Sequence, residues 1–246
     1  MRGVGGVAAA FLLAAASGVC FVASAAAETA DGRDEQTLLF FSGTDLWRQG
    51  SFTHGGMLWS PDGLKNDGFT FKLLLGAGGY RYRSGALGNI DVDGQALAAF
   101  ALPGWRFKSG IVTATVFAGA DIQNHRLRPD DPSAGLRGSE LGFRTGIELW
   151  IAPDSHTMIS ADASFSTVGP SYNARVAFGW RVFDEFFIGP EVQAFAGKDS
   201  YRQWRVGMHL TGLRTDLFEW SGGLGYAADS DDHDSLYARI GLNFRL

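Results

Sequence analysis

Apolar and polar residues alternate with a period of two through most of this chain. In residues 171–182 one side carries Tyr172, Ala174, Val176, Phe178, Trp180 and Val182, and the other carries Asn173, Arg175, Ala177, Gly179 and Arg181. Successive side chains of a strand point to opposite faces, so this pattern predicts a strand with two unlike faces. The same alternation recurs in residues 139–152, 200–213 and 235–246. We therefore predict an all-β fold.

About twelve strands are predicted in this way. They are placed at residues 38–48, 51–60, 69–83, 88–102, 111–124, 139–152, 156–167, 171–182, 186–196, 200–213, 217–227 and 235–246. Each strand with its connection averages ~18 residues, which suits strands that cross an outer membrane at a tilt. We expect an outer-membrane-type, antiparallel up-and-down β-barrel. A lipocalin-like soluble barrel is the alternative, because alternation alone does not say which face meets water.

The N-terminus has the pattern of a cleavable signal peptide. Arg2 precedes an uncharged stretch rich in Ala, Leu, Val and Phe, and Ala25-Ala26-Ala27 comes directly before Glu28. This order is typical of export through the general secretory pathway. The predicted organisation is a signal peptide at 1–27, a short periplasmic segment at 28–37 and a transmembrane barrel at 38–246. An uncleaved anchor is the alternative, since the uncharged run is long enough to span a bilayer.

Composition narrows the range of functions. The net charge of −5 argues against nucleic acid as a partner, since phosphate binding needs a positive field. The only cysteine, Cys20, lies in the predicted signal, so no disulfide or thiolate site is expected in the mature chain. Four aspartates within residues 229–234 could gather calcium, but a solvated acidic loop is the favoured interpretation. We predict no cofactor, no metal site and no catalytic residue.

Strand connections and tryptophans bear on the membrane assignment. If the first strand runs outward, the even-numbered connections should be short periplasmic turns, and the longest connection, residues 125–138, then lies outside. The turns at 61–68 and 103–110 are longer than this rule prefers. All seven tryptophans fall near predicted strand ends, as in the aromatic girdles of outer-membrane barrels, although plugging a soluble barrel would also place them there.

The polar side of the alternation is predicted to face the lumen. Twelve strands give a narrow or partly plugged interior, because eight just fill with side chains and sixteen leave a channel. We expect the lumen charges to pair with one another, and the more specific alternative is that they contact a sugar chain passing through the barrel. The candidate lumen residues are Arg144, Glu148, Arg175, Arg181, Glu191, Arg205, His209 and Arg239. The alternation also places Lys72, Asp91, Asp93, Asp162 and Arg245 on this face.

An enzyme is the alternative function. Some outer-membrane barrels modify lipids or polysaccharides, using a nucleophile and a base at the membrane face. None of the five histidines sits in a motif whose spacing implies a mechanism. An enzyme would have to use outer-facing groups such as His125 or His233 with nearby aspartates.

Several longer strings resemble a known family, the alphaproteobacterial cellulose biosynthesis protein BcsS family. They are DLWRQGSFTHGGMLWSP, YRYRSGALG, FALPGWRF, HRLRPDDPSAGLRG, GPSYNARVAFGWR, GPEVQAF and YRQWRVGMHLTGLRTDLFEWS. The resemblance implies an outer-membrane or periplasm-facing accessory of bacterial cellulose synthesis and secretion. Together with the predicted barrel, it leads us to expect a non-enzymatic protein in the outer membrane of a Gram-negative bacterium, acting as a glucan passage or an anchor. The expected partners are outer-membrane lipid, a β-1,4-glucan chain and other cellulose-secretion proteins. It supplies no catalytic residue.

Overall fold

The chain folds into a closed antiparallel β-barrel in a computed structural model, which describes residues 36–197, 201–231 and 233–246. Twelve strands lie within those residues: β1 (Leu38–Trp47), β2 (Gly50–Trp59), β3 (Gly68–Ser84), β4 (Ile90–Ser109), β5 (Val112–Arg128), β6 (Gly138–Ile151), β7 (Thr157–Ser166), β8 (Ser171–Val182), β9 (Phe186–Ala196), β10 (Arg202–Thr215), β11 (Phe218–Asp229) and β12 (Asp234–Arg245). The predicted barrel of about twelve strands is confirmed. No helix long and apolar enough to cross a bilayer occurs among the described residues. The predicted signal at 1–27 and most of the segment 28–37 lie outside them.

The first and last strands close the barrel. Each strand pairs with its sequence neighbours, and β1 pairs antiparallel with β12 from Leu39–Arg245 to Trp47–Tyr237. The backbone N–H groups of Thr37 and Leu38 both donate to the carbonyl of Leu246 at 3.1 Å. Closure leaves no strand edge exposed, which is what a β-structure surrounded by hydrocarbon requires.

Two predicted connections are shorter than expected, because strands run through them. β4 continues past Pro103 to Ser109, so the long turn predicted at 103–110 is wrong. Pro103 has no N–H to donate, and the pairing of β4 with β5 skips from Ala101–Ala120 to Gly104–Phe117. Gly119 accommodates this stretch, since a Cβ there would lie 3.0 Å from the Pro103 ring and 2.1 Å from the Ala101 carbonyl oxygen.

The two ends of the barrel differ. β5 extends to Arg128, so the predicted loop 125–138 shortens to residues 129–137, at the end opposite to the termini. Four of the five turns at the end with the termini are short, and the exception is residues 60–67. Outer-membrane barrels have short periplasmic turns and longer outer loops. The end with the termini corresponds to the periplasmic end of such barrels, and the two ends are named accordingly as the periplasmic and the outer end.

The outer wall of the barrel is apolar, but the interior is divided. In β6 to β12 the inward positions are mostly polar, as predicted. In β1 to β4 the inward positions are largely apolar and form a hydrophobic cluster that includes Phe52, Leu74 and Phe100. β5 adds Phe117 to this cluster, but its inward positions also include the polar residues Asp121, Gln123 and His125. Trp47 and Trp150 also point inward and are buried, so the prediction that all seven tryptophans form girdles is wrong for these two.

Candidate functional site

The candidate site is the polar wall of the lumen. All eight predicted lumen residues lie on inward-facing positions of β6, β8, β9, β10 and β12. Six are buried, and Arg181 and Arg239 are partly buried. The same parity that turns Tyr172, Val176 and Trp180 outward turns Arg175 and Arg181 inward. The alternation in the sequence was therefore sufficient to find these positions.

Glu191 lies at the centre of the polar wall. Its carboxylate accepts hydrogen bonds from Arg175 Nε at 2.8 Å, Arg239 Nη2 at 2.7 Å, Tyr237 Oη at 2.9 Å and Gln193 Nε2 at 3.1 Å. Arg175 is on the adjacent strand β8, whereas Arg239 and Tyr237 reach over from β12. One buried carboxylate thus joins three strands, and the two arginines more than compensate its charge. Such charge-assisted bonds hold the side chains in fixed positions.

A second ion pair crosses the lumen from β10 to β1. Arg205 Nη1 contacts both carboxylate oxygens of Asp45, at 2.8 and 2.9 Å. The same guanidinium lies over the rings of Trp47, Phe195 and Tyr237, with distances of 4.8 to 5.3 Å from Cζ to the ring centroids. The Arg205 guanidinium is thus held inside the barrel by contacts with Asp45 and the three rings.

A third cross-lumen pair borders a cavity. Lys72 of β3 donates to Glu148 of β6, and both side chains are buried. The adjoining cavity has a volume of about 40 Å³ and is lined by Phe100, Arg144 and Asp162, among others. One oxygen of Glu148 there has no hydrogen-bond partner among the described residues, whereas Arg144 Nη2 lies 2.9 Å from the Asp121 carboxylate. A cavity of this size holds a few water molecules, so it is too small for a sugar ring.

The sequence analysis missed a neighbouring cluster around Asp121. This carboxylate of β5 is buried and accepts from Arg144 Nε at 3.1 Å, Ser166 Oγ at 2.6 Å and Gln123 Nε2 at 2.8 Å. The alternation is weak around Asp121, because the residues on the same face of β5 include apolar ones such as Phe117. Its pairing with Arg144 nevertheless follows from adjacent registers on β5 and β6.

Loops cover both mouths of the barrel. At the periplasmic end Leu64 packs against the hydrophobic cluster, and its carbonyl accepts a hydrogen bond from buried Arg106. At the outer end Leu136 and Val168 are buried in the same cluster. Asp131, in the loop 129–137, accepts from Tyr82 Oη at 3.0 Å and from Ser133 Oγ at 2.6 Å. We call residues 129–137 the outer cap. Loops thus contact the interior of the barrel at both of its ends.

Three of the histidines have different surroundings. His125 is not an outer-facing group as supposed: it is buried in the lumen, 3.3 Å from Tyr80 Oη and 3.2 Å from Gln123 Oε1. His209 donates from Nε2 to the Phe178 carbonyl at 3.0 Å. His233 lies at the surface, 3.5 Å from Asp229. No group of three potential metal ligands occurs within the described parts of the chain.

Two residues assigned to the lumen lie outside it. Asp91 and Asp93 were placed on the polar face, but both are exposed on the outer wall, where they pair with Arg83 and Arg81 at 3.4 and 2.8 Å. In β4 the inward positions are Val92, Gly94 and Ala96, so the polar and apolar faces exchange near the outer end. Polarity therefore does not mark the lumen at the outer end of β4.

Comparisons with known proteins agree with this architecture. The sequence profile of the family described as "Cellulose biosynthesis protein BcsS" matches residues 39–246. No curated protein matches the chain.

Among solved structures, an outer membrane channel from Pseudomonas putida F1 has a TM-score of 0.57 at 9% identity, over 91% of this chain and 100% of the channel. The deltaS2S3 mutant of the monoaromatic hydrocarbon channel TodX has a TM-score of 0.55 at 8% identity, over 86% and 90%. The translocator domain of the autotransporter NalP from Neisseria meningitidis has a TM-score of 0.51 at 12% identity, over 87% and 90%. The fold is thus that of outer-membrane barrels.

Proposed function

The chain belongs to the BcsS family of cellulose biosynthesis proteins, and from this premise we propose that it is a non-enzymatic outer-membrane accessory of cellulose secretion. Its barrel acts as a closed anchor for the secretion machinery. Membership of the family indicates a part in cellulose secretion, and the interior of the barrel favours an anchor over a glucan passage. Anchoring requires a rigid barrel whose loops are free to dock partners, and it does not require an open lumen.

The observation that carries this proposal is the mutual pairing of the lumen charges. Lys72 pairs with Glu148, Arg205 with Asp45, and Arg239 with Glu191, each across the interior. A glucan chain passing through would have to replace these buried contacts with sugar hydroxyls. Breaking a buried ion pair is strongly unfavourable, so the conformation described here supports a closed barrel.

A glucan passage is the second candidate, because the polar wall has groups that suit sugars. Phe187 and Phe195 lie on the same face as Glu191 and Gln193, which gives stacking surfaces beside hydrogen-bonding groups. In this role the eight predicted residues Arg144, Glu148, Arg175, Arg181, Glu191, Arg205, His209 and Arg239 would contact the glucan. Both mouths are covered by loops, which are the segments best able to move.

Conductance and export together separate the two roles. For an anchor we expect purified protein in planar bilayers to show no stepwise conductance. Export of cellulose should be unchanged by the double variant R175M/E191Q, provided that heat-modifiable gel migration shows a folded barrel. For a passage, the same variant should reduce export. If deleting the whole chain leaves cellulose secretion unaltered, the role in secretion itself is refuted.

The enzymatic alternative would use outer-facing histidines such as His125 or His233 with nearby aspartates. His125 is engaged inside the barrel, so of these two only the exposed His233, whose Nδ1 lies 3.5 Å from Asp229, could serve it. We expect H233A to leave the acyl content and chain length of the cellulose and the lipid A profile unchanged. A change in any of them would favour an enzyme.

A further inference from the structure

The outer wall of β3, β4 and β5 carries a cluster of arginines near its outer end. Arg81 and Arg83 on β3 and Arg126 and Arg128 on β5 are all exposed, and all are on outward-facing positions. Asp91 and Asp93 of β4 lie between them. We call these six residues the arginine belt. Neither the lumen nor the proposed role in secretion uses any of them.

Strand register places the arginine belt directly above the lipid-facing wall. Neighbouring strands align Leu75, Ala99, Ile122 and Leu141 in one outward row, and Ala77, Leu97, Asn124 and Ser139 in the next. The row above contains Gly79, Gln95 and Arg126, and the row above that contains Arg81, Asp93 and Arg128. Rows are ~7 Å apart along a strand. The change from Leu and Ile to Asn, Gln and Arg thus takes place within two rows, at the expected boundary of the hydrocarbon.

The belt has cationic groups available for an external ligand. Arg81 and Arg83 pair with Asp93 and Asp91, but more than half of each side chain is exposed. Exposed pairs of this kind contribute little and rearrange readily. Arg126 and Arg128 contact no carboxylate within the described residues. Four guanidinium groups against two carboxylates leave a net positive surface.

The opposite side of the barrel is different at the same end. There the outward positions hold rings, including Phe165 and Tyr172, which are 5.0 Å apart, and Trp204 and Tyr226. Aromatic rings at this level are the ordinary girdle of an outer-membrane barrel. On β3 to β5 the arginine belt stands where the girdle would otherwise lie, so the belt is a local feature of the wall.

We propose that the arginine belt binds the phosphate groups of a glycolipid in the outer leaflet. Guanidinium groups bind phosphate through paired, charge-assisted hydrogen bonds. Acyl chains would lie along Leu75, Leu97 and Ile122, and the phosphorylated sugar headgroup would meet Arg126 and Arg128. Basic groups at membrane level beside an apolar wall are suited to anionic lipid headgroups. This inference depends on the orientation of the barrel in the outer membrane and not on its part in cellulose secretion.

The test measures binding of purified lipopolysaccharide to the full-length barrel in nonionic detergent, by native mass spectrometry. We expect R126Q/R128Q to weaken binding about 10- to 30-fold, from the attraction of each basic group to an anionic lipid surface. The matched control is R202Q, because Arg202 is also exposed at the outer end but lies on β10 beside Trp204. It should bind as the unmodified protein does. Binding should also weaken with added salt.

Two further ligands distinguish the sources of phosphate. The same glycolipid without its phosphates should bind the unmodified protein as weakly as the intact one binds R126Q/R128Q. Equal binding of both forms would overturn the proposal, and so would an equal loss in R202Q. Inorganic phosphate at millimolar concentration should not displace the lipid. If it does so completely, the belt is a site for free phosphate, and the assignment to a lipid is wrong.

Discussion

Arg205 and Asp45, 160 residues apart in the chain, form a two-point ion pair across the lumen, from Nη1 to both carboxylate oxygens at 2.8 and 2.9 Å. Asp45 is on the first strand, next to the seam where β1 meets β12, and Arg205 is on β10. The pair thus connects β10, near the end of the chain, with β1, which closes the barrel against β12. It forms only when the barrel is shut, so it links the chemistry of the interior to the closure of the fold.

Removing one partner of this pair should destabilise the barrel more than removing both. D45A leaves the buried Arg205 charge uncompensated, and we expect a loss of about 3 to 5 kcal/mol in the free energy of unfolding. D45L/R205M replaces both groups with apolar ones and should unfold near the urea midpoint of the unmodified protein. Urea unfolding of the refolded barrel in detergent, followed by tryptophan fluorescence, measures both. Equal midpoints for D45A and the unmodified protein would contradict the assignment.

Inward glycines provide the space for the aromatic rings of the hydrophobic cluster. The ring of Tyr80 lies close to its β4 partner Gly94, where a Cβ would be 2.2 Å from ring carbon Cζ. We expect G94A to lower the free energy of unfolding by about 1 to 3 kcal/mol through overpacking. G79A is the matched control, since its Cβ would find the nearest atom, the Gly94 carbonyl oxygen, at 3.8 Å. Equal urea midpoints for G94A and G79A would contradict the claim that Gly94 makes space for the Tyr80 ring.

The period of two predicted the fold nearly completely. The alternation places Arg175 and Val176 on opposite faces whatever surrounds them, so strand positions and the closed form followed from local pattern. The alternation did not predict which residues are polar or apolar at two places, the outer end of β4 and the hydrophobic cluster inside the barrel. Asp91 and Asp93 lie on the outer wall, where they pair with exposed arginines, whereas Phe52 and Phe117 belong to the hydrophobic cluster inside. Which residues share the interior depends on pairing across the lumen, and no single strand encodes it.

The outer cap should loosen only in strong acid. Burial acts to raise the pKa of Asp131, but hydrogen bonds from Ser133, Ser84 and Tyr82 outweigh it and hold this pKa below its ordinary value of 3.8. A carboxyl group with a lowered pKa stabilises the folded loop above its ordinary pKa, and this stabilisation is lost as the pH falls through the lowered value. The cap should therefore stay ordered down to about pH 4 and loosen below it.

A nitroxide label on P132C reports this change by its mobility in electron paramagnetic resonance. The label needs a C20S background if the precursor is used, since Cys20 is the only other thiol. We expect the mobility to rise with a midpoint below pH 3.8 in the label-bearing protein. D131N in the same background should show little change with pH, because it has no carboxyl to titrate at that position. A midpoint well above pH 4 would contradict the role of Asp131.

The candidate lumen residues could be placed from the sequence, but their partners could not. Arg239 and Glu191 are 48 positions apart and meet only because β9 and β12 face each other in a closed barrel. The burial of the outer cap could not be predicted from the sequence for a similar reason. Leu136 lies in a loop of turn-forming residues, and its burial depends on contact with the turn at 167–170, which an alternation pattern does not describe.

Leu136 should control access to the outer half of the lumen. It is buried in the cap and belongs to the same hydrophobic cluster as inward-facing Ala96 of β4. L136A removes the apolar contact that holds the loop down, at about 2 to 5 kcal/mol for a buried leucine. The closed strand ladder does not depend on it, so the barrel should persist. We expect a cysteine at A96C to react with a water-soluble maleimide more than about tenfold faster in L136A, as the cap opens more often. L217A is the control, because Leu217 is exposed at the periplasmic end. Equal labelling rates in all three proteins would show that the loop does not cover the lumen in solution.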